Sequence, residues 1–182
     1  MSKGFTIIEL IIVIAIIGIL AISINIGTNR VGSIGIAAQA AQVAQDIRYT
    51  QSLAMAQHQK FRIYFCNPYD TSDKTVYQII RDSDGTAVIN PTTGTSNHTD
   101  LQTGIKFSSC SLSGRRLVFD SLGTPYQGTS TSPFTNDQTV KLSVDTSAVG
   151  GGCSGGSCGG TGPGCTITIT SNTGSVSVAC NG

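Results

Sequence analysis

The chain has 182 residues, 11 basic against 10 acidic, a net charge of +1 and only 12% charged residues. So even a balance gives no electrostatic reason to seek polyanions. With 22 glycines, six cysteines and no tryptophan, it suits an exported structural domain better than a cytosolic enzyme.

The first element is an apolar run over residues 5–26, broken only by Glu9. At about 1.5 Å rise per residue it spans roughly 33 Å as a helix, enough to cross the hydrocarbon core of a bilayer. A carboxylate inside such a segment costs on the order of 2.5–3.5 kcal/mol, which marks Glu9 as a candidate functional residue. Lys3, the nearest cation in sequence, is six residues back. The partner is therefore expected from another molecule, or from a charge created by processing. A secretory signal peptide, whose cleavage site Ala21-Ile22-Ser23 loosely mimics, would have a shorter apolar region of about 7–15 residues and no use for Glu9. A plain single-pass anchor with an incidental acid is the other alternative. Loop charge leaves orientation open, since Lys3 precedes the run and Arg30 follows it.

Residues 27–59 are expected to form a weakened stretch followed by an amphipathic helix. Gly27, Gly32 and Gly35 each disfavour helix by about 1 kcal/mol relative to Ala, and with Asn29 they predict a flexible or locally unwound segment. Beyond them Ile36, Ala40, Val43, Ile47 and Ala54 fall on one helical face, with Gln39, Gln42, Gln45 and Asp46 largely off it.

After His58 the period changes to two. Strands are expected at 61–65 and 76–81, the second ended by the turn Asp82-Ser83-Asp84-Gly85. A polar loop follows over 90–104, then strands at 104–108, 116–120, 138–145, 165–171 and 174–179. The last two are joined by the compact turn Asn172-Thr173-Gly174. The fold class is α+β, one long N-terminal helix leaning on an antiparallel β-sheet head over 60–182.

All six cysteines lie beyond the apolar run, and an even count on an exported side reads as up to three disulfides with fifteen full connectivities. The preferred pairs, near in sequence or joining strand ends, are Cys66–Cys110, Cys153–Cys158 and Cys165–Cys180. On chain-entropy grounds the first would contribute roughly 4 kcal/mol and the last about 3. Zinc is not expected, because Cys153, Cys158 and Cys165 have the spacing C-x4-C-x6-C with no His nearby. The Gly-rich stretch 150–164 lacks the Lys-Ser/Thr pair and ensuing helix of a phosphate loop, and reads as a surface or contact loop. His58 and His98 are the only histidines, and no catalytic motif surrounds either. No enzymatic activity, metal or cofactor is expected.

The residues Gly4-Phe5-Thr6-Ile7-Ile8-Glu9-Leu10, preceded by Lys3, resemble the class III signal of type IV pilins and type II secretion pseudopilins. The resemblance implies that residues 1–4 are a leader removed by a prepilin peptidase between Gly4 and Phe5. It implies N-methylation of Phe5 and a Glu9 that meets the terminal amine of a neighbouring subunit, setting the filament register. It places the short leader in the cytoplasm, so a single-pass protein of the inner membrane carries its head on the periplasmic side before passing into a pilus or pseudopilus. The implied partners are the peptidase, other pilins through the N-terminal helix, and an inner-membrane assembly platform. Many pilins carry a Pro near the weakened stretch, whereas the first here is Pro68.

A narrower similarity is to the H-type minor pseudopilin and T-type fimbrial group (GspH/FimT). It rests on Asp46-Ile47-Arg48, Ser52-Leu53-Ala54-Met55-Ala56 leading into Phe61-Arg62-Ile63-Tyr64-Phe65, Leu117-Val118-Phe119-Asp120-Ser121-Leu122-Gly123, and the closing hairpin from Ile167 to Val176. Some T-type members are associated with DNA uptake through basic residues in that hairpin. Here the stretch reads Gly174-Ser175-Val176-Ser177, without the arginines that phosphate contact requires. Arg115 and Arg116, the only adjacent basic pair, remain weak nucleic-acid candidates, and DNA is not an expected partner. The function implied is a structural minor pilin or pseudopilin of a type IV pilus or type II secretion system. The alternatives are a major pilin, a DNA-binding minor pilin, or a membrane-tethered adhesive module.

Overall fold

The structure, a computed structural model, describes residues 7–25, 28–66, 73–95, 98–128, 130–144 and 163–181, the side chains of 18–34 excepted. Gly4, Phe5, Cys153, Cys158 and nearly all of the Gly-rich stretch lie outside the described residues. Two helices lead the chain, α1 over Ile7–Asn25 and α2 over Thr28–Gln57. Nine strands follow: β1 Phe61–Phe65, β2 Val76–Arg81, β3 Thr99–Asp100, β4 Ile105–Cys110, β5 Arg116–Phe119, β6 Pro125–Gln127, β7 Gln138–Val144, β8 Gly164–Ile169 and β9 Val176–Asn181. They form two antiparallel sheets, ordered β3-β2-β1-β5-β6 and β4-β7-β8-β9. The α+β class therefore holds, with two sheets where the strand pattern alone suggested one.

Alternation builds the core. In β1, Phe61, Ile63 and Phe65 are buried while Arg62 and Tyr64 are not; in β8, Cys165, Ile167 and Ile169 turn inward. The buried side chains of β1 face those of β5, with Phe61 opposite Phe119 and Ile63 opposite Leu117. Helix α2 lies across both sheets, packing on β1 and β5 of the first and on β7, β8 and β9 of the second. Phe107 joins the two layers, its ring edge-on to Phe65 at 5.6 Å and to Tyr77 at 6.4 Å.

Three expectations change. Gly32 and Gly35 do not unwind α2, which runs through both, while Gly27 lies outside the described residues. Tertiary contact overrides propensity here: a Cβ on Gly35 would lie 3.4 Å from the Gln102 side chain, whose backbone N–H donates to Gln39 Oε1 at 3.1 Å. Next, the buried face is wider than the apolar stripe. It holds Ile36, Ala40, Val43, Ile47 and Ala54 as expected, but also Gln39, Asp46 and Thr50. A helix that packs on two sheets buries more than a single stripe. Finally, β3, of two residues, falls where loop was expected, and β6, of three, where no element was assigned.

Helix α2 ends in a Schellman arrangement. The Gln59 N–H donates to Ala54 O at 3.2 Å, and His58 occupies the left-handed position with φ 51°. Glycine fits that conformation without a Cβ clash, so His58→Gly is expected to stabilise the protein by about 0.5–1 kcal/mol. A urea melt would show the midpoint rising with an unchanged slope.

Candidate functional site

Helix α1 carries the residues singled out first. Glu9 sits in its first turn, where a carboxylate suits the positive end of the helix dipole. Around it the large apolar side chains of residues 7–17 are 44 to 81% exposed. No part of the head covers this face, which makes it the largest uncovered apolar surface among the described residues. The 19 residues of α1 rise about 28 Å, just short of a hydrocarbon core of about 30 Å. Among the described residues no helix is long and apolar enough to cross a membrane. The sequence run of 5–26 extends beyond them at both ends.

The far half of α2 instead anchors loops of the head. Asp46, 1% exposed, accepts from Tyr77 Oη at 2.5 Å, Asn90 Nδ2 at 2.9 Å and Thr92 Oγ1 at 3.2 Å. Asn90 also donates to Thr99 Oγ1 at 3.0 Å, so one carboxylate holds β2, β3 and the loop between them. Burial first, then the hydrogen bond to Asp46, pushes the Tyr77 hydroxyl well above its ordinary pKa near 10. Two residues on, Arg48 Nη2 donates to Val176 O at 2.6 Å. Gln51 Nε2 donates to both Gly123 O at 2.9 Å and Thr173 O at 2.8 Å. The motif segments Asp46-Ile47-Arg48, Leu117 to Gly123 and the closing hairpin are thus bound to one another.

The adjacent arginines part. Arg116 lies on the outer face of the first sheet, over the Tyr64 ring at 5.8 Å, with Nη1 on Tyr64 Oη at 3.3 Å. Arg115 has φ 55° and lines a different cavity, beside Cys66 and Cys110. The two do not form one basic reader. His98 is exposed, 3.7 Å from Asp100, and His58 ends the helix. Among the described residues no group of three or more His, Cys, Asp or Glu is placed to hold a metal ion.

Of the expected disulfides, Cys165–Cys180 is present, across directly paired positions of β8 and β9 with a Cα–Cα distance of 4.1 Å. The expected Cys66–Cys110 bridge is not formed in the structure, which holds both residues as thiols. The reason is local: Cys66 follows β1 with φ 71° and Cys110 ends β4 of the other sheet, so no strand pairing fixes their separation as it does for Cys165 and Cys180. Burial pushes the Cys110 thiol up to about 11 from an ordinary value of 9.0, and raises Cys66 against the opposing charge of Arg115. A folded pKa above the unfolded one favours the neutral form. Cys110 therefore contributes its full stability below pH 9 and loses it as pH rises through 11. In the reduced native protein at pH 8, iodoacetamide is expected to label Cys110 about a hundredfold more slowly than an unfolded control, as a time course of peptide masses would show.

A family model described as the prokaryotic N-terminal methylation motif matches residues 1–25. No curated protein matches the chain. Among solved structures, the type IV minor pilin FimU of Pseudomonas aeruginosa is similar with a TM-score of 0.45 and 14% identity, over 81% of this chain and 88% of that one. The minor pseudopilin EpsH of the Vibrio cholerae type 2 secretion system is similar with a TM-score of 0.45 and 12% identity, over 79% and 95%. A prokaryotic N-terminal methylation motif thus heads a chain of α+β fold.

Proposed function

We propose that this chain is a non-enzymatic structural subunit, a minor pilin or pseudopilin, that assembles into a type IV pilus or type II secretion filament through α1. One observation carries the reading: an apolar helix face, 44 to 81% exposed over residues 7–17, with Glu9 set into it. Each such side chain gains about 1.5–3 kcal/mol on full burial, so the helix requires cover. Lipid supplies it first, with residues 5–26 in the inner membrane and the head outside. Neighbouring α1 helices supply it in the filament. A prepilin peptidase cuts between Gly4 and Phe5, and the new amine of Phe5, N-methylated, pairs with Glu9 of an adjacent copy. Apolar packing has no register of its own, whereas this charge pair selects one. The methylation motif over residues 1–25 supports the processing step, and the platform that extracts the subunit is its further partner.

The test is Glu9→Val. Incorporation into sheared filaments, measured against the membrane-held pool, is expected to fall at least tenfold while membrane insertion is unchanged. Equal incorporation would sink the reading. Mass spectrometry of the native protein is expected to show loss of residues 1–4 and a methyl group on Phe5.

A further inference from the structure

Among the described residues, two thiols are used neither by helix α1 nor by the Cys165–Cys180 bridge. Cys66 directly follows β1 in the first sheet, its N–H donating to Val76 O at 2.8 Å. Cys110 is the last residue of β4 in the second. Both line one cavity of about 170 Å³, together with Lys74, Phe107 and Arg115. The backbone already couples the sheets at this point, since the Phe107 N–H donates to Lys74 O at 2.8 Å. The positive φ of Cys66, 71°, is uncommon for a residue with a Cβ and is held by the surrounding contacts.

We propose that Cys66 and Cys110 form a modification site, at which a disulfide-bearing oxidant joins them into a bridge between the two sheets. Cys110, whose residue surface is part-exposed although its sulfur is desolvated, meets the oxidant first. Its thiol exchanges with RS–SR to give Cys110–S–S–R and one RSH. The Cys66 sulfur then attacks Cys110 Sγ, forming the Cys66–Cys110 bond and releasing the second RSH. Each thiol proton leaves on a departing RS group, so two cysteine thiols and one RS–SR become one bridge and two RSH. Arg115 is the positioning residue: it lines the same cavity, and although burial raises the Cys66 thiol, the charges of Arg115 and Lys74 oppose that and favour the thiolate that resolves the mixed disulfide. The high pKa of Cys110 makes the first exchange slow without a dedicated oxidase.

The experiment uses the full chain, reduced with dithiothreitol, transferred to oxidised glutathione, quenched in acid and digested with trypsin without reduction. Residues 63–74 and 107–115 are tryptic peptides with one cysteine each. The expected product is these two joined, at their summed mass less two hydrogens. Full alkylation of both after prolonged oxidation, or capture of either by Cys153 or Cys158, overturns the proposal. In Arg115→Ala the glutathione adduct on Cys110 is expected to persist several-fold longer; an unchanged lifetime overturns the positioning role. The melting-temperature difference between oxidised and reduced protein is expected to be about 10 °C larger in the native chain than in Cys66→Ser. Equal differences overturn the tie between the sheets.

Discussion

Asp46→Ala is expected to destabilise the head by about 3–5 kcal/mol, the largest effect of any single change outside α1. The carboxylate is buried and stabilised by three neutral donors, with no cation among its hydrogen-bond partners. Removing it leaves Tyr77 Oη and Asn90 Nδ2 short of an acceptor in a dry interior, where an unsatisfied donor costs about 1–3 kcal/mol. Asn90 keeps Thr99 Oγ1 as an acceptor, which caps the loss, whereas Gln42 Nε2 only donates to Tyr77 Oη and cannot replace the carboxylate. Asp46→Asn preserves shape and one acceptor oxygen but turns an amide NH2 toward donors, so about 1–2 kcal/mol is expected. Urea melts of the three proteins check the order, and hydrogen exchange in residues 88–95 should rise most in Asp46→Ala. A loss below 1 kcal/mol would show that the loop between β2 and β3 does not depend on this carboxylate.

The same residue shows where sequence reading stops. Periodicity assigns Asp46 to solvent because a carboxylate beside glutamines ordinarily belongs there. Only a loop some 44 residues downstream, arriving with Asn90 and Thr92, makes the position interior, and no local pattern encodes that. Local patterns succeeded where local physics decides. The runs 61–65 and 76–81 gave β1 and β2 to the residue: β1 alternates because one face is buried, whereas β2 is buried on both faces and is marked by its β-branched and aromatic residues. The hairpin turn at Asn172-Thr173-Gly174 put Cys165 opposite Cys180 and so gave that bridge. Pairs bridging separate sheets carry no such signal, as Cys66 and Cys110 illustrate. β6 begins at a proline and spans three residues, too short for any alternation to register. At the other end of the chain, Glu9 was legible at once, since a charge in a hydrocarbon-length run is conspicuous without any tertiary information.

Gly174→Ala is expected to cost about 2–4 kcal/mol and to loosen the closing hairpin. The residue has φ 67°, in the left-handed region, where a Cβ costs roughly 1–2 kcal/mol. The new methyl would also stand 2.8 Å from Phe119 Cε1 and 2.9 Å from Gln51 Nε2. The amide could swing away, but it would then release the carbonyls of Gly123 and Thr173 that it holds together. Phe119 has less room still: it is fully buried and pairs across the sheet with Phe61. Relieving the clash therefore means moving either the core or the turn, at the 1–3 kcal/mol typical of overpacking. Turn movement is the cheaper route, and it would pull Val176 from Arg48. The measurement is a melt combined with hydrogen exchange, with protection expected to fall at the Gly174 amide, which donates to Thr170 O at 3.0 Å. The variant Gly123→Ala provides the contrast. There the tightest contact is Met55 Sδ at 2.9 Å, on a 42% exposed side chain that can rotate into solvent, so a smaller loss is expected despite a φ of 79°. Equal losses at the two glycines would mean that backbone strain alone, and not the packing of Phe119 and Gln51, fixes the hairpin against the helix.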